Sequence, residues 1–400
     1  MGRVEDFEHL AFGMFVHFGL YSVVGKGEWY LAANPHADKD MYSRLPQKFG
    51  VSKNWAKELV KTAKNAGCRY ITLTTRHHDG FSLYDTMGLS DFDAPHSACG
   101  RDLVKEFVDE CNKNGVFPMF YHTLLDWNEP SYTEDFDAYI DYLVKSIEIL
   151  CTRYGKIGGF WLDGTWDKSK NWQEDRIYGT IRRYQPDAII INNTGLTSRG
   201  EIGHKEIDGV TFERGGTFRV KRGSRKIAGE MCQSMNDHWG YTENDTNYKS
   251  VSELIDDLVD SRRNGCNLLM NVGLKRNGLI RPIEKEMLSF MGKWIKENND
   301  FIYDVFPTDI TSENAYTATD GKYHYVITRS TGMSAEPYAT TAQKAKRIVL
   351  DNAVIESGIW LDNGEDIVMT SENSFLEMPF RYGTSLASHR VARIVLKHKI

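Results

Sequence analysis

No stretch of this 400-residue chain approaches the ~20 consecutive apolar residues of a membrane-spanning helix, so no membrane partner is expected. The opening "MGRVEDFEHL" is charged and lacks the apolar core of a signal segment. That favours a cytoplasmic location, or a secreted or periplasmic one if a signal segment had been removed. Cysteine is scarce. Cys68, Cys99, Cys111, Cys151, Cys232 and Cys266 are scattered, with no CxxC pair. They read as small buried apolar residues rather than disulfides or metal ligands. Positive charge is not in excess: the net charge of -6 gives no basic field for nucleic acid. Low-complexity segments and long linkers are absent too.

What is present is an ordinary globular composition, 41% hydrophobic and 26% charged, with 9 Trp and 20 Tyr. The length fits a large α/β barrel plus a small appendage. One theme repeats: an amphipathic helix, a glycine, then a short apolar strand. Helical stripes fall in 52–66, 101–114, 133–154 and 252–264, followed by Gly67, Gly115, Gly155 and Gly265. Strands are expected at 12–18, 70–75, 116–122, 158–164, 188–193, 210–214, 228–235 and 267–273. They are continuously apolar, as parallel strands covered on both faces are. Eight such units predict a (β/α)8 barrel. It is somewhat irregular, because 195–208 makes a poor crossover helix. An open doubly wound sheet is the alternative, but nothing resembles its glycine-rich phosphate turn, and no cofactor is expected.

After a helix at 282–298 the helical period disappears. "YHYVIT", "KRIVLD", "SGIWLD", "DIVMT" and "RVARIVLKHKI" are short strands separated by Gly, Asn, Asp and Ser. The expected organisation is a barrel over 1–305 and a small antiparallel β-sandwich domain over 306–400.

Barrel active sites lie at the carboxyl ends of the strands. There the sequence places His17, His77 and His78, Tyr121 and His122, Trp161 and Asp163, Asn192 and Asn193, Glu213, Glu230, and Asn271. A metal cluster fits this set poorly. Strand one offers a single histidine, and adjacent His77 and His78 would face opposite sides of a continuing strand. A polyhydroxylated ligand fits better. Neutral histidines supply one donor and one acceptor each, and Glu28, Trp29 and Tyr30 follow strand one as an aromatic platform. The basic run 214–226 reads as a rim loop that contacts the leaving group.

Asp163 ends an apolar strand, where an aspartate is costly unless it is bonded or functional. Glycoside hydrolysis needs a second carboxyl. Glu230 on strand seven and Glu213 on strand six compete for that role. The neighbours of Glu230 are less polar, whereas Arg214 beside Glu213 would hold it ionised, so Glu230 is the expected acid/base.

At these residues the sequence resembles the α-L-fucosidases of glycoside hydrolase family 29. "AFGMFVHFG", "GEWY", "TRHHDGF", "YHTLLDW", "GFWLDG", "GEMCQSMNDHWGY" and "GCNLLMNVGLKRNGLI" occur in order over about the first 300 residues. The resemblance implies a barrel with a C-terminal β-sandwich, a retaining mechanism and no metal. Asp163 would be the nucleophile. His17, Glu28, Trp29, His77, His78, Tyr121 and Trp161 would line the fucose pocket. Glu230 matches the glutamate of the family's W-E-x-C segment, with Gly229 in place of the tryptophan, and would be the acid/base. A pocket arginine is expected from Arg214 or Arg219, and Arg219 is the one assigned. The implied activity is release of terminal α-L-fucose from oligosaccharides or glycoconjugates by double displacement. The rivals are a catalytically silent fucose-binding protein on this fold and a metal-dependent barrel hydrolase. Oligomerisation is not indicated.

Overall fold

The computed structural model describes residues 2–193, 203–217, 219–220, 226–328, 333–334, 345–378, 380–381 and 388–397. Eight parallel strands close in chain order: β1 (Phe12–His17), β2 (Tyr70–Arg76), β3 (Phe117–Thr123), β4 (Gly159–Asp163), β5 (Ile189–Asn193), β6 (Gly209–Glu213), β7 (Ala228–Ser234) and β8 (Cys266–Gly273). β8 pairs back onto β1, from Phe12 opposite Leu268 to His17 opposite Gly273. That closure excludes the open doubly wound sheet.

The strands are buried along nearly their whole length because each serves two cores. Phe15, Tyr70, Met119, Tyr121, Trp161, Ile191, Cys232 and Leu269 point into the barrel, over a plug of Val4 and Phe7 from the N-terminal helix. Residues one step along, such as Ile71, Leu73, Phe120, Phe160 and Leu162, point outward under the helices. The expected helices form at Trp55–Ala66, Leu103–Asn114, Phe136–Arg153, Val251–Arg263 and Pro282–Glu297. Gly67 and Gly115 end the first two with φ of +90° and +67°. A helix not anticipated from the sequence spans Glu174–Tyr184 and buries Ile177, Tyr178 and Ile181. Of the irregular crossover at 195–208, residues up to 202 lie outside the described residues, and 203–208 form no helix.

Beyond the barrel, the four-stranded antiparallel sheet contains β9 (Ala315–Thr319), β10 (His324–Thr328), β13 (Ile355–Trp360) and β17 (Arg390–Leu396). A second antiparallel sheet has β12 (Lys346–Val349), β14 (Val368–Ser371) and β15 (Ser374–Glu377), and β11 (Met333–Ser334) and β16 (Phe380–Arg381) form a short parallel pair. Val326, Ala392 and Ile394 of the first sheet share a core with Ile348 and Phe375 of the second, which makes the pair a sandwich.

Candidate active site

The carboxyl ends of the strands surround a cavity of ≈ 450 Å³, within the range of a small-ligand site. Its walls carry His17, Trp29, His77, His78, Tyr121, Trp161, Asp163 and Glu213.

Both adjacent histidines reach it because β2 does not continue as a regular strand. Its register with β3 shifts between Thr74 and Arg76. The irregularity sends Arg76 to the helix side, where Nη1 donates to Tyr142 and Ser146, and returns His77 to the inside. A turn follows, closed by Gly80 N–H onto His77 O at 3.0 Å. Gly80 has φ +79°, and a Cβ there would lie 2.6 Å from Asp126 Oδ1, so no other residue fits without displacement. Tyr42 Oη ties down the turn by donating to Asp79 Oδ2 at 2.6 Å, and Trp127 N–H bonds His78 O at 2.8 Å. The two imidazoles stand 4.3 Å apart, centroid to centroid. The regular continuation that would have turned them to opposite sides does not occur, and both line the cavity. His122 is the histidine that faces outward, buried against Thr75 and Tyr84.

The imidazoles are neutral. Burial pulls His17 and His78 each down to about 3, and His77 well below the ordinary value. Their tautomers follow from their partners. Asn271 spends its amide N–H on Trp239 O, so its Oδ1 accepts from His17 Nδ1–H at 2.6 Å. Thr123 gives its hydroxyl hydrogen to Leu125 O, so it accepts from His78 Nδ1–H at 2.7 Å. In both rings Nε2 is then unprotonated: that of His17 is left as an acceptor for a ligand hydroxyl, and that of His78 also stands 3.5 Å from Asp163 Oδ2.

Asp163 ends β4 and is 7% exposed. Tyr121 Oη donates to its Oδ2 at 2.9 Å, and its Oδ1 has no hydrogen-bond partner among the described residues. Burial raises its pKa to about 7. Tyr121 opposes that rise, and the nearby Glu213 charge adds to it. Asn193, ending β5, donates Nδ2 to Glu213 Oε2 at 3.1 Å and also helps hold Asp163 ionised. One amide thus serves both carboxylates.

Glu230 is not in the cavity. β6 and β7 pair with Glu213 opposite Cys232 and Thr211 opposite Glu230. Cys232 and Glu213 line the cavity, while Glu230, two residues earlier, lies one side-chain layer deeper. It is 0% exposed, and its oxygens accept from Tyr70 Oη at 2.5 Å and Trp161 Nε1 at 2.9 Å. Apolar neighbours do raise it, to about 7, but an acid sealed under the floor reaches no leaving group. The expected proton donor therefore lies outside the cavity, and the alternative, Glu213, lies in its wall. Glu28 is likewise held behind the wall, where its Oε2 accepts from Gly240 N–H at 2.7 Å. Arg219 is elsewhere: it contacts Thr308 O and Asp309 and lines a separate cavity with Glu8, Lys226 and Arg262. Arg214 is the arginine beside the site, 4.7 Å over the Trp239 ring. The basic run does not cover the mouth where it is described. Thr217 is anchored to Asp260, and Lys226 pairs with Glu5 and Glu8; residues 218 and 221–225 lie outside the described residues.

Sequence reasoning missed Phe15, Trp166, Lys168, Cys232 and Trp239 and gave Asn193 no role. Trp166 stacks on Trp29 at 5.7 Å and 18°. Trp239 stacks on His17 at 5.6 Å and 28°. Among the described residues no three His, Cys, Asp or Glu side chains are grouped to hold a metal ion, and no helix is long and apolar enough to cross a membrane.

Residues 3–300 match the family model described as α-L-fucosidase. The chain belongs to the α-L-fucosidase family. It is thus a glycoside hydrolase, and the family implies a fucosylated glycan as substrate. An α-L-fucosidase of Dictyostelium discoideum is 27% identical over 75% of this chain and 71% of its own length. A solved structure, α-L-fucosidase isoenzyme 1 from Paenibacillus thiaminolyticus, is 26% identical, covers 99% of both chains and superposes with a TM-score of 0.85. Another, a family 29 fucosidase from Bacteroides thetaiotaomicron trapped as a covalent intermediate with 2-fluoro-fucosyl fluoride, has a TM-score of 0.82 at 23% identity, covering 99% of this chain and 96% of its own.

Proposed function

We propose that this chain is a retaining exo-α-L-fucosidase in which Asp163 is the nucleophile and Glu213 the acid/base. The observation that carries the reading is the unpartnered Oδ1 of Asp163 in a cavity that also holds Glu213. The covalent intermediate of the Bacteroides thetaiotaomicron relative accords with it.

The sugar enters with its hydroxyls toward the Nε2 acceptors of His17 and His78. Phe15, Cys232 and Trp239 give the cavity apolar wall suited to the methyl of a 6-deoxy sugar. Asp163 Oδ1 attacks the anomeric carbon as Glu213 gives its proton to the departing glycosidic oxygen. The glycosyl ester forms and the C–O bond to the leaving group breaks. Tyr121 and Asn193 keep Asp163 ionised against the cost of burial, so the carboxylate that attacks is poorly solvated and reactive. Glu213 then takes a proton from water, which attacks the same carbon and releases Asp163. Two inversions return the α configuration. Trp29, Trp166 and Lys168 frame the mouth, where the leaving group emerges. A site closed by Phe15 and Trp161 below accepts a terminal residue rather than a chain interior.

The test is proton NMR during hydrolysis of an aryl α-L-fucoside. The first-formed fucose is the α anomer; first formation of the β anomer, or no hydrolysis, refutes the proposal. The same assay on α-1,2-, 1,3-, 1,4- and 1,6-linked oligosaccharides reports the linkage preference.

A further inference from the structure

We infer that Glu230 is a positioning residue that fixes the tilt of the pocket-floor indole, Trp161, and through it the nucleophile. This deepens the proposed function and rests on it.

Three strands meet at this carboxylate. Tyr70 comes from β2, Trp161 from β4 and Glu230 from β7, so the contact spans the barrel interior. An indole N–H only donates, and Glu230 Oε1 is its acceptor. Above the contact, Trp161 stacks on Tyr121 at 5.6 Å and 22°, and Tyr121 stacks on His77 at 5.5 Å and 13°. Tyr121 Oη holds Asp163 Oδ2 at 2.9 Å. The line of contacts therefore runs from Glu230 to Trp161, to Tyr121, to Asp163. Phe7 closes it from below, 5.4 Å from Tyr70. Nothing in this arrangement gives Glu230 a route to a leaving group. What it controls is the angle of the ring on which the sugar and Tyr121 rest. Without its acceptor, the indole can restore its hydrogen bond only by leaving its present tilt.

The experiment compares wild type, Glu230→Gln, Glu230→Leu and Glu213→Gln on aryl α-L-fucosides with leaving groups of graded basicity. Glutamine keeps an acceptor oxygen for Trp161 and turns its amide N–H to the Tyr70 hydroxyl oxygen. Leucine keeps the bulk and removes the acceptor. Glu230→Leu should lose about 10²-fold in kcat/KM, the scale of a misplaced reacting group. The loss should be equal for every leaving group, with no azide rescue and no loss of the alkaline limb of the pH profile. Glu230→Gln should recover to within about fivefold of wild type. Glu213→Gln should show a loss that grows with leaving-group basicity, toward the ~10²–10⁴-fold of a missing acid/base, and that azide relieves. A Glu230→Gln loss that grows with leaving-group basicity, or an unimpaired Glu230→Leu, overturns the inference. If Glu230→Leu does not fold, Trp161→Phe replaces it, since it keeps a ring on Tyr121 and removes the N–H. A uniform loss there supports the inference, and wild-type kcat/KM overturns it. Near-ultraviolet circular dichroism gives a readout without substrate. The aromatic signal should change in Glu230→Leu (or in Trp161→Phe, beyond the loss of one indole) and return in Glu230→Gln. Wild type that shows no hydrolysis refutes the proposed function alone; the dichroism then decides the role of Glu230, and an unchanged signal overturns it.

Discussion

Tyr121 donates its phenolic hydrogen to Oδ2 of Asp163 at 2.9 Å, and the other carboxylate oxygen has no partner among the described residues. One oxygen is anchored and the other is available to react. Removing the carboxylate should therefore remove the first displacement. Asp163→Gly is expected to lower kcat at least about 10³-fold on an aryl α-L-fucoside. Added azide should fill the vacated space and yield fucosyl azide of inverted configuration, detected by mass spectrometry and NMR. Wild-type turnover in that variant would exclude Asp163 from the mechanism.

The pH dependence of kcat/KM follows from the raised pKa of Asp163. The attacking form is the carboxylate, so kcat/KM should rise with pH along an acid limb centred near 7, the value to which burial brings this group. Tyr121→Phe removes a hydrogen bond that favours the ionised form. The limb should then move to higher pH, and the plateau should fall about 10-fold or more. A limb that stays in place would show that another group sets it.

The same shift makes a stability prediction. The folded-state pKa of Asp163 lies above its unfolded value, so its contribution is fully present below pH 4 and is lost as pH rises through about 7. About three pKa units correspond to a cost on the order of 4 kcal/mol at pH 8. Asp163→Asn has no such cost. Its thermal midpoint should exceed that of wild type by more at pH 8 than at pH 5, measured by calorimetry. An equal difference at both pH values would contradict the burial argument.

His17 and His78 should remain neutral throughout the enzyme's working range, since burial places both near 3. Nitrogen-edited NMR should show each with hydrogen on Nδ1 and none on Nε2, with no titration between pH 5 and 8. Protonation of either ring at pH 6 would remove the acceptors assigned to the sugar hydroxyls.

Much of the barrel was legible because the strand period and the glycines after the helices are local signals. β2, β4 and β8 formed where continuous apolar runs met those glycines. The helix at Glu174–Tyr184 was not, since it carries a glycine, Gly179, at mid-length, offers only three buried residues and begins without a side-chain cap. In the site, Asp163, His17 and Trp161 could be read from their strand ends. The expected placement of Glu230 in the cavity failed for a reason local chemistry does not carry. Glu213 and Glu230 both point inward, and only the pairing of β6 with β7 shows that Glu230 lies one layer lower. The paired facing of His77 and His78 depended on an irregularity between Thr74 and Arg76 that no composition rule signals. Arg219 looked eligible as a cation near a catalytic strand, and its loop carries it to Asp309 instead. Trp166 and Lys168 sit in a loop that reaches the mouth only through the fold.

The column of rings formed by His77, Tyr121 and Trp161 draws its members from the end of β2 and from the neighbouring strands β3 and β4. A column of that kind tolerates change poorly, because a new shape at any level alters the bed on which the others lie. Lys168 and Trp166 at the entrance carry no such burden. Variants of this enzyme that accept different glycan partners are therefore best sought at the entrance, with the column left intact.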